Sequence, residues 1–162
     1  MTAHTEIRAD RDLPDVFNAF IAAQTAIVET GLEPALRHLV VLRASQINGC
    51  AFCVKMHTRE AREDGETNER LDRLVAWRHM SDFTAREKAA FAWTEALTII
   101  DPAAELEPLR AGLARHFEAR EIAALFDHAD THARGELTRA AGELSLRAPA
   151  LLARRDLQLR HD

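Results

Sequence analysis

Arg37-His38-Leu39-Val40-Val41-Leu42-Arg43-Ala44-Ser45-Gln46-Ile47-Asn48-Gly49-Cys50-Ala51-Phe52-Cys53-Val54-Lys55-Met56-His57 is the stretch that decides the fold. Leu36, Leu39, Val40 and Leu42 recur every three or four positions, as on one face of a helix that begins around Glu33-Pro34 and runs to about Ile47. Asn48-Gly49 breaks that helix. Another opens at or just before Cys50 and continues to Asp64-Gly65, where a glycine suits a C-terminal cap.

The same period extends in both directions. A helix is expected from about Leu13-Pro14-Asp15 to Gly31, with proline at an early position where its missing N–H costs nothing. It would carry Val16, Phe17, Phe20, Ile21, Ile27 and Val28 inward. A short helix is expected from Asn68 to Trp77. Thr84-Ala85-Arg86-Glu87 has the form of a capping box, starting a helix with Phe91, Trp93, Leu97, Ile99 and Ile100 that ends at Asp101-Pro102. Helices near Glu105–His116 and Glu118–Leu146 follow, the last interrupted near Gly135 and ending before Pro149. There is no tyrosine and no long alternation of apolar and polar residues, so strand signals are scarce. The expectation is an all-α bundle of about six to seven helices.

With 162 residues the chain reads as one domain over 1–162, its motif region about 15–100 and a polar tail about 150–162 that includes Arg154-Arg155. No linker, low-complexity stretch or solenoid repeat divides it. Hydrophobic residues make up 47% and charged residues 29%, which argues for a folded chain and against disorder. The formal net charge of -5 favours neither nucleic acid nor an anionic membrane as partner. Met1-Thr2-Ala3-His4-Thr5-Glu6 lacks the layout of a signal peptide, and no apolar run approaches the ~20 residues that cross a bilayer. A cytoplasmic location is expected, where a cysteine pair is more often catalytic or metal-binding than a structural staple.

Cys50 and Cys53 are the only cysteines. Two cysteines placed at random in a chain of 162 residues would fall three apart roughly once in eighty placements. A helix starting at Asn48-Gly49 points its first free N–H groups toward Cys50, which favours a thiolate there. His57 is the i+4 neighbour of Cys53, and its reference pKa of about 6.5 suits it to accept a thiol proton. Once one cysteine is oxidised to a sulfenic acid, the other is close enough to condense with it. The histidine spacing points to Cys53 as the attacking thiolate; the helix end points to Cys50. Other readings of the pair are half of a zinc site, with His57 and one of His38, His128 or His132, or two inert buried thiols.

The stretch quoted above resembles the core of the carboxymuconolactone decarboxylase superfamily, and more narrowly its alkylhydroperoxidase D (AhpD-like) branch. Ser45-Gln46-Ile47-Asn48-Gly49-Cys50 through Cys53 to His57 is the part specific to that branch. The resemblance continues through Thr58-Arg59-Glu60-Ala61-Arg62 and Glu87-Lys88-Ala89-Ala90-Phe91-Ala92-Trp93-Thr94-Glu95-Ala96-Leu97-Thr98. It implies an all-helical fold assembling into trimers or hexamers, with the thiol site near a subunit boundary. It also implies reduction of organic hydroperoxides by a dithiol cycle, recharged by a lipoyl-bearing or thioredoxin-like protein. Carried onto this sequence, Cys50 and Cys53 are the redox pair and His57 is the proton-relay histidine. The family usually has a glutamate twelve residues before the first cysteine, where this chain has His38. A histidine there passes a proton but supplies no fixed negative charge. Slower peroxidase chemistry, a different substrate, or a site rearranged around Asp127 or Asp130 are the consequences left open. The family's asparagine- and tryptophan-containing stretch in the last helix also looks altered around Thr131-His132-Ala133-Arg134-Gly135.

His38 is thus a relay candidate, with a metal-ligand role beside His57 or a plain half-buried helix position as the alternatives. His128 and His132 form another i, i+4 pair, read first as a solvated face. Trp77, Phe83, Phe91 and Trp93 are expected in the core or in subunit packing, and Arg59, Arg62, Arg70 and Arg73 on a charged outer face. No cofactor and no metal are expected. The leading function is a thiol peroxidase or disulfide oxidoreductase using Cys50, Cys53, His57 and His38. The alternatives are a redox-sensing or structural oligomer and a metal-dependent enzyme built on His38 and His57.

Overall fold

The computed structural model describes residues 9–101 and 103–126. The expected positions Asp127, His128, Asp130, His132 and Gly135, the rest of the last helix and the tail lie outside the described residues. Within them the structure is helical throughout, in the order α1 (Ala9–Asp12), α2 (Pro14–Val28), α3 (Pro34–Ile47), α4 (Ala51–Glu63), α5 (Asn68–Arg73), a 3-10 helix (Leu74–His79), α6 (Ala85–Ile99) and α7 (Leu106–Leu113). Residues 119–126 are also helical. No helix among the described residues is long and apolar enough to cross a membrane.

Local chemistry explains the boundaries. Pro14 and Pro34 sit in the first turns of α2 and α3, where no intrahelical N–H is needed. Thr84 and Glu87 form the expected capping box of α6: the Glu87 N–H donates to Thr84 Oγ1 at 3.2 Å and the Thr84 N–H to Glu87 Oε2 at 2.7 Å. The short helix expected over 68–77 is divided. Its first part is α-helical, and the chain then tightens into the 3-10 helix, with Ala76 off helical geometry at φ -111° and ψ 20°.

α3 is the central helix, packed against both α4 and α6. Leu36, Leu39, Val40, Val41, Leu42 and Ala44 are buried along it. Phe91 of α6 meets Trp77 and Phe83 edge to face at centroid distances of 5.6 and 5.3 Å. Leu71, Leu74, Trp93, Leu113, Phe117 and Leu125 complete the core, so all four aromatic residues singled out in the sequence are buried. One carboxylate crosses this core. Glu95 of α6 accepts from Arg43 Nε of α3 at 2.7 Å and from Trp77 Nε1 at 2.8 Å, and pairs with Arg78. Burial pushes the Glu95 carboxyl up, but the hydrogen bonds from Trp77, Arg78 and Arg43 outweigh it and leave it below the usual range.

Two expectations change. None of α2's residues is buried: Phe17, Phe20 and Ile27 are half-covered, and Val16, Ile21 and Val28 are exposed. Its apolar stripe is not turned into the core of this chain, because α3 already fills its own inner face with α4 and α6. Arg70, expected on the outer face, is half-buried. Its guanidinium bonds Glu66 at 2.9 Å, pairs with Glu87 and lies 4.8 Å from the Phe83 ring centroid.

Candidate functional site

The turn between α3 and α4 sets the cysteines. Asn48 caps α3, and Gly49 follows at φ +65°, a left-handed conformation that favours glycine. The Gly49 N–H donates to the Gln46 carbonyl and the Cys50 N–H to the Ser45 carbonyl, both at 3.2 Å. These two bonds close a Schellman motif. Cys50 is thereby the residue that finishes α3 and also the N-cap of α4. Its Sγ accepts the Cys53 N–H at 3.4 Å, so one of the free amides in the first turn of α4 does point at this sulfur.

Cys50 and Cys53 are joined as a disulfide, their Cα atoms 5.4 Å apart. Cys53 is fully buried and Cys50 only partly. One turn beyond Cys53, His57 is also buried, and its Nδ1 lies 2.8 Å from Glu60 Oε2. A carboxylate oxygen accepts, so Nδ1 carries the proton in this pair. His38, on α3, is buried too, with Nε2 2.6 Å from Oδ2 of Asp64, the residue that caps α4. Arg37 Nη2 approaches the same nitrogen at 3.5 Å.

The two histidines and their carboxylates, but not the cysteines, line a cleft of about 530 Å³ between α2, α3 and α4. Ile21, Val28 and Val41 give it an apolar wall. His38, His57, Glu60 and Asp64 are its polar lining. The structure therefore brings His38 and His57 to one cavity and Cys50, Cys53 and His57 to one end of α4. Each histidine holds its own carboxylate. Neither Glu60 nor Asp64 was given a role from the sequence. The His57–Glu60 pair is readable there as an i, i+3 spacing; His38–Asp64 spans 26 residues and has no local signal. Among the described residues, no group of three or more His, Cys, Asp or Glu converges as a metal site.

The model of the carboxymuconolactone decarboxylase family matches residues 14–96, which contain His38, Cys50, Cys53 and His57. The chain belongs to this family. It is 34% identical over 93 residues to the uncharacterized protein YdfG of Bacillus subtilis (strain 168), a match covering 57% of this chain and 63% of that protein. It is 31% identical over 94 residues to the uncharacterized protein YnjA of Escherichia coli (strain K12), covering 58% of this chain and 51% of that one. The match thus spans between half and two thirds of the length of these relatives. Among solved structures it is similar to ATU0492 from Agrobacterium tumefaciens, a protein of unknown function proposed as the antioxidant defence protein AhpD. The TM-score is 0.75 at 33% sequence identity, covering 82% of this chain and 91% of that one. Within the carboxymuconolactone decarboxylase family the chain falls in the AhpD-like branch.

Proposed function

We propose that the chain is a thiol-dependent peroxidase and disulfide oxidoreductase that reduces organic hydroperoxides with Cys50 and Cys53. His57 carries the proton, and His38 assists on the same cleft. The observation that carries this reading is a Cys-x-x-Cys pair at a helix N-terminus with a buried histidine one turn beyond it.

In the reduced protein His57 takes the Cys53 thiol proton, and the thiolate attacks the outer oxygen of the hydroperoxide. An S–O bond forms and the O–O bond breaks. The leaving alkoxide departs as an alcohol with the proton from His57. Cys50 then attacks the Cys53 sulfenic acid. The S–S bond forms, and the hydroxyl leaves as water with the Cys50 thiol proton. An external dithiol on a lipoyl-bearing or thioredoxin-like protein recharges the pair. It attacks Cys50, the more exposed sulfur, releases Cys53 as a thiolate beside His57, and ends as a disulfide itself. The apolar wall of Ile21, Val28 and Val41 suits the organic part of such a substrate. A reducing, cytoplasmic setting and assembly as a trimer or hexamer belong to the same reading.

The experiment is thiol counting after one equivalent of an organic hydroperoxide is added to fully reduced protein. Loss of two thiols per chain with one intramolecular disulfide is expected, and Cys53→Ser abolishes it. Unchanged peroxide turnover in Cys53→Ser would sink the assignment. A second reading, a redox-sensing oligomer, is favoured by the unburied apolar residues of α2. Sizing the reduced and oxidised protein separates them, because a sensor changes its assembly with the disulfide and a peroxidase need not.

A further inference from the structure

Cys53, His57, Glu60 and Asp64 follow one another along α4 and its cap at intervals of four, three and four residues. That spacing keeps all four on one stripe of the helix. The stripe begins at a buried sulfur and ends at half-exposed carboxylates, the Glu60 side chain being 35% and the Asp64 side chain 48% exposed. Its last three members, His57, Glu60 and Asp64, line the cleft.

We propose that Glu60 is the positioning residue of the site: it fixes the His57 ring through Nδ1 and supplies the negative charge that stabilises the imidazolium formed when His57 takes the thiol proton. The inference rests on the dithiol reading given above. Nδ1 holds its proton toward Glu60 Oε2 at 2.8 Å, so the proton arriving from sulfur enters at Nε2. Glu60 accepts the hydrogen bond from Nδ1, and the S–H proton is held on His57 until the alcohol leaves with it.

Other charged groups face the same cleft: Glu29 from α2, Arg37 and His38 from α3, Glu63 and Asp64 from α4 and its cap. His38 engages Asp64 at 2.6 Å, and Arg37 lies beside that pair. Glu60 is the group bonded to His57 Nδ1. The imidazole is almost wholly out of water, which strengthens a charge-assisted bond that would be weak on an open helix face.

The test compares Glu60→Gln, which keeps the shape and removes the charge, with Glu60→Asp, which keeps the charge. Two quantities are read in each: thiolate formation in fully reduced protein, followed at 240 nm across pH, and the pH dependence of disulfide formation by an organic hydroperoxide. Circular dichroism checks that both variants fold. Glu60→Gln is expected to raise the midpoint of thiolate formation by about one pH unit. It is also expected to slow disulfide formation at pH 7 about tenfold, with Glu60→Asp recovering most of both. Identical midpoints in wild type and Glu60→Gln overturn the proposal. So does an equal loss of rate at every pH in both variants, which marks a merely structural contact. If the wild type shows no peroxide-driven thiol loss, the peroxidase reading fails separately, and the 240 nm midpoints alone then decide the role of Glu60.

Discussion

α2 and α3 are nearly the same length, 15 and 14 residues, and both are rich in apolar side chains, yet α3 buries eight residues and α2 none. The difference lies in what each is given to pack against. α3 is enclosed by α4 and α6 and carries the Arg43–Glu95 bond through the core, whereas α2 borders the cleft and presents its remaining apolar surface outward. Apolar periodicity tells which residues share a face. It does not tell whether the same chain covers that face.

The contrast is broken most directly at Glu95. Glu95→Ala leaves the Trp77 N–H without its partner and leaves the Arg43 charge, with a side chain only 13% exposed, without its carboxylate and with only the Gln46 Oε1 bond. The expected loss is about 3 kcal/mol or more in denaturant unfolding. The same variant changes the acid limb of stability. The folded-state pKa of Glu95 lies below its unfolded value: burial raises it, and the bonds from Trp77, Arg78 and Arg43 together lower it by more. Its contribution is therefore complete above the unfolded carboxylate pKa of about 4 and is lost as pH falls through the folded value. Glu95→Ala should flatten the acid-induced loss of stability over that window; an unchanged acid limb would show that other carboxylates govern it.

Within the two helices, Leu39→Ala on α3 should cost about 2–5 kcal/mol by leaving a cavity at a fully buried site. Val16→Ser on α2, 51% exposed, should stay within about 0.5 kcal/mol. If the α2 face is covered by a second copy, Val16→Ser instead lowers the assembly state in sedimentation, and its stability cost becomes dependent on protein concentration.

An effect between those of Leu39→Ala and Val16→Ser sharpens the boundary between α3 and α4. Gly49→Ala introduces a side chain with open space around it but at φ +65°, so only the backbone is strained, at about 1–2 kcal/mol. Thermal unfolding reads that cost. A loss near zero would mean that the turn relaxes out of the left-handed region and moves Cys50 with it.

Much of the site was legible in the sequence where its signal is local. Asn48-Gly49 marked the break, Thr84 and Glu87 marked their own cap, and the cysteine spacing with His57 placed three groups on one helix end. What escaped was tertiary. The Asp64 partner of His38 and the convergence of Arg43, Trp77 and Arg78 on Glu95 join residues far apart in the chain, and no periodicity encodes them. Glu60 is the intermediate case. Its i+3 relation to His57 is visible in the sequence, but a glutamate beside arginines on an amphipathic helix reads first as a solvated face. Only the burial of the imidazole separates the two meanings.

Because one wall of the cleft is a helix with no buried residue, a substitution that loosens that wall is expected to leave the core largely intact. Local opening at α2 draws on few buried contacts and is expected at the low end of the range that hydrogen exchange reads in a folded domain, with α3 nearer the global limit. Access to the histidines is therefore set at the margin of the molecule. A second copy seated on α2 would therefore also change how readily the cleft admits a small molecule.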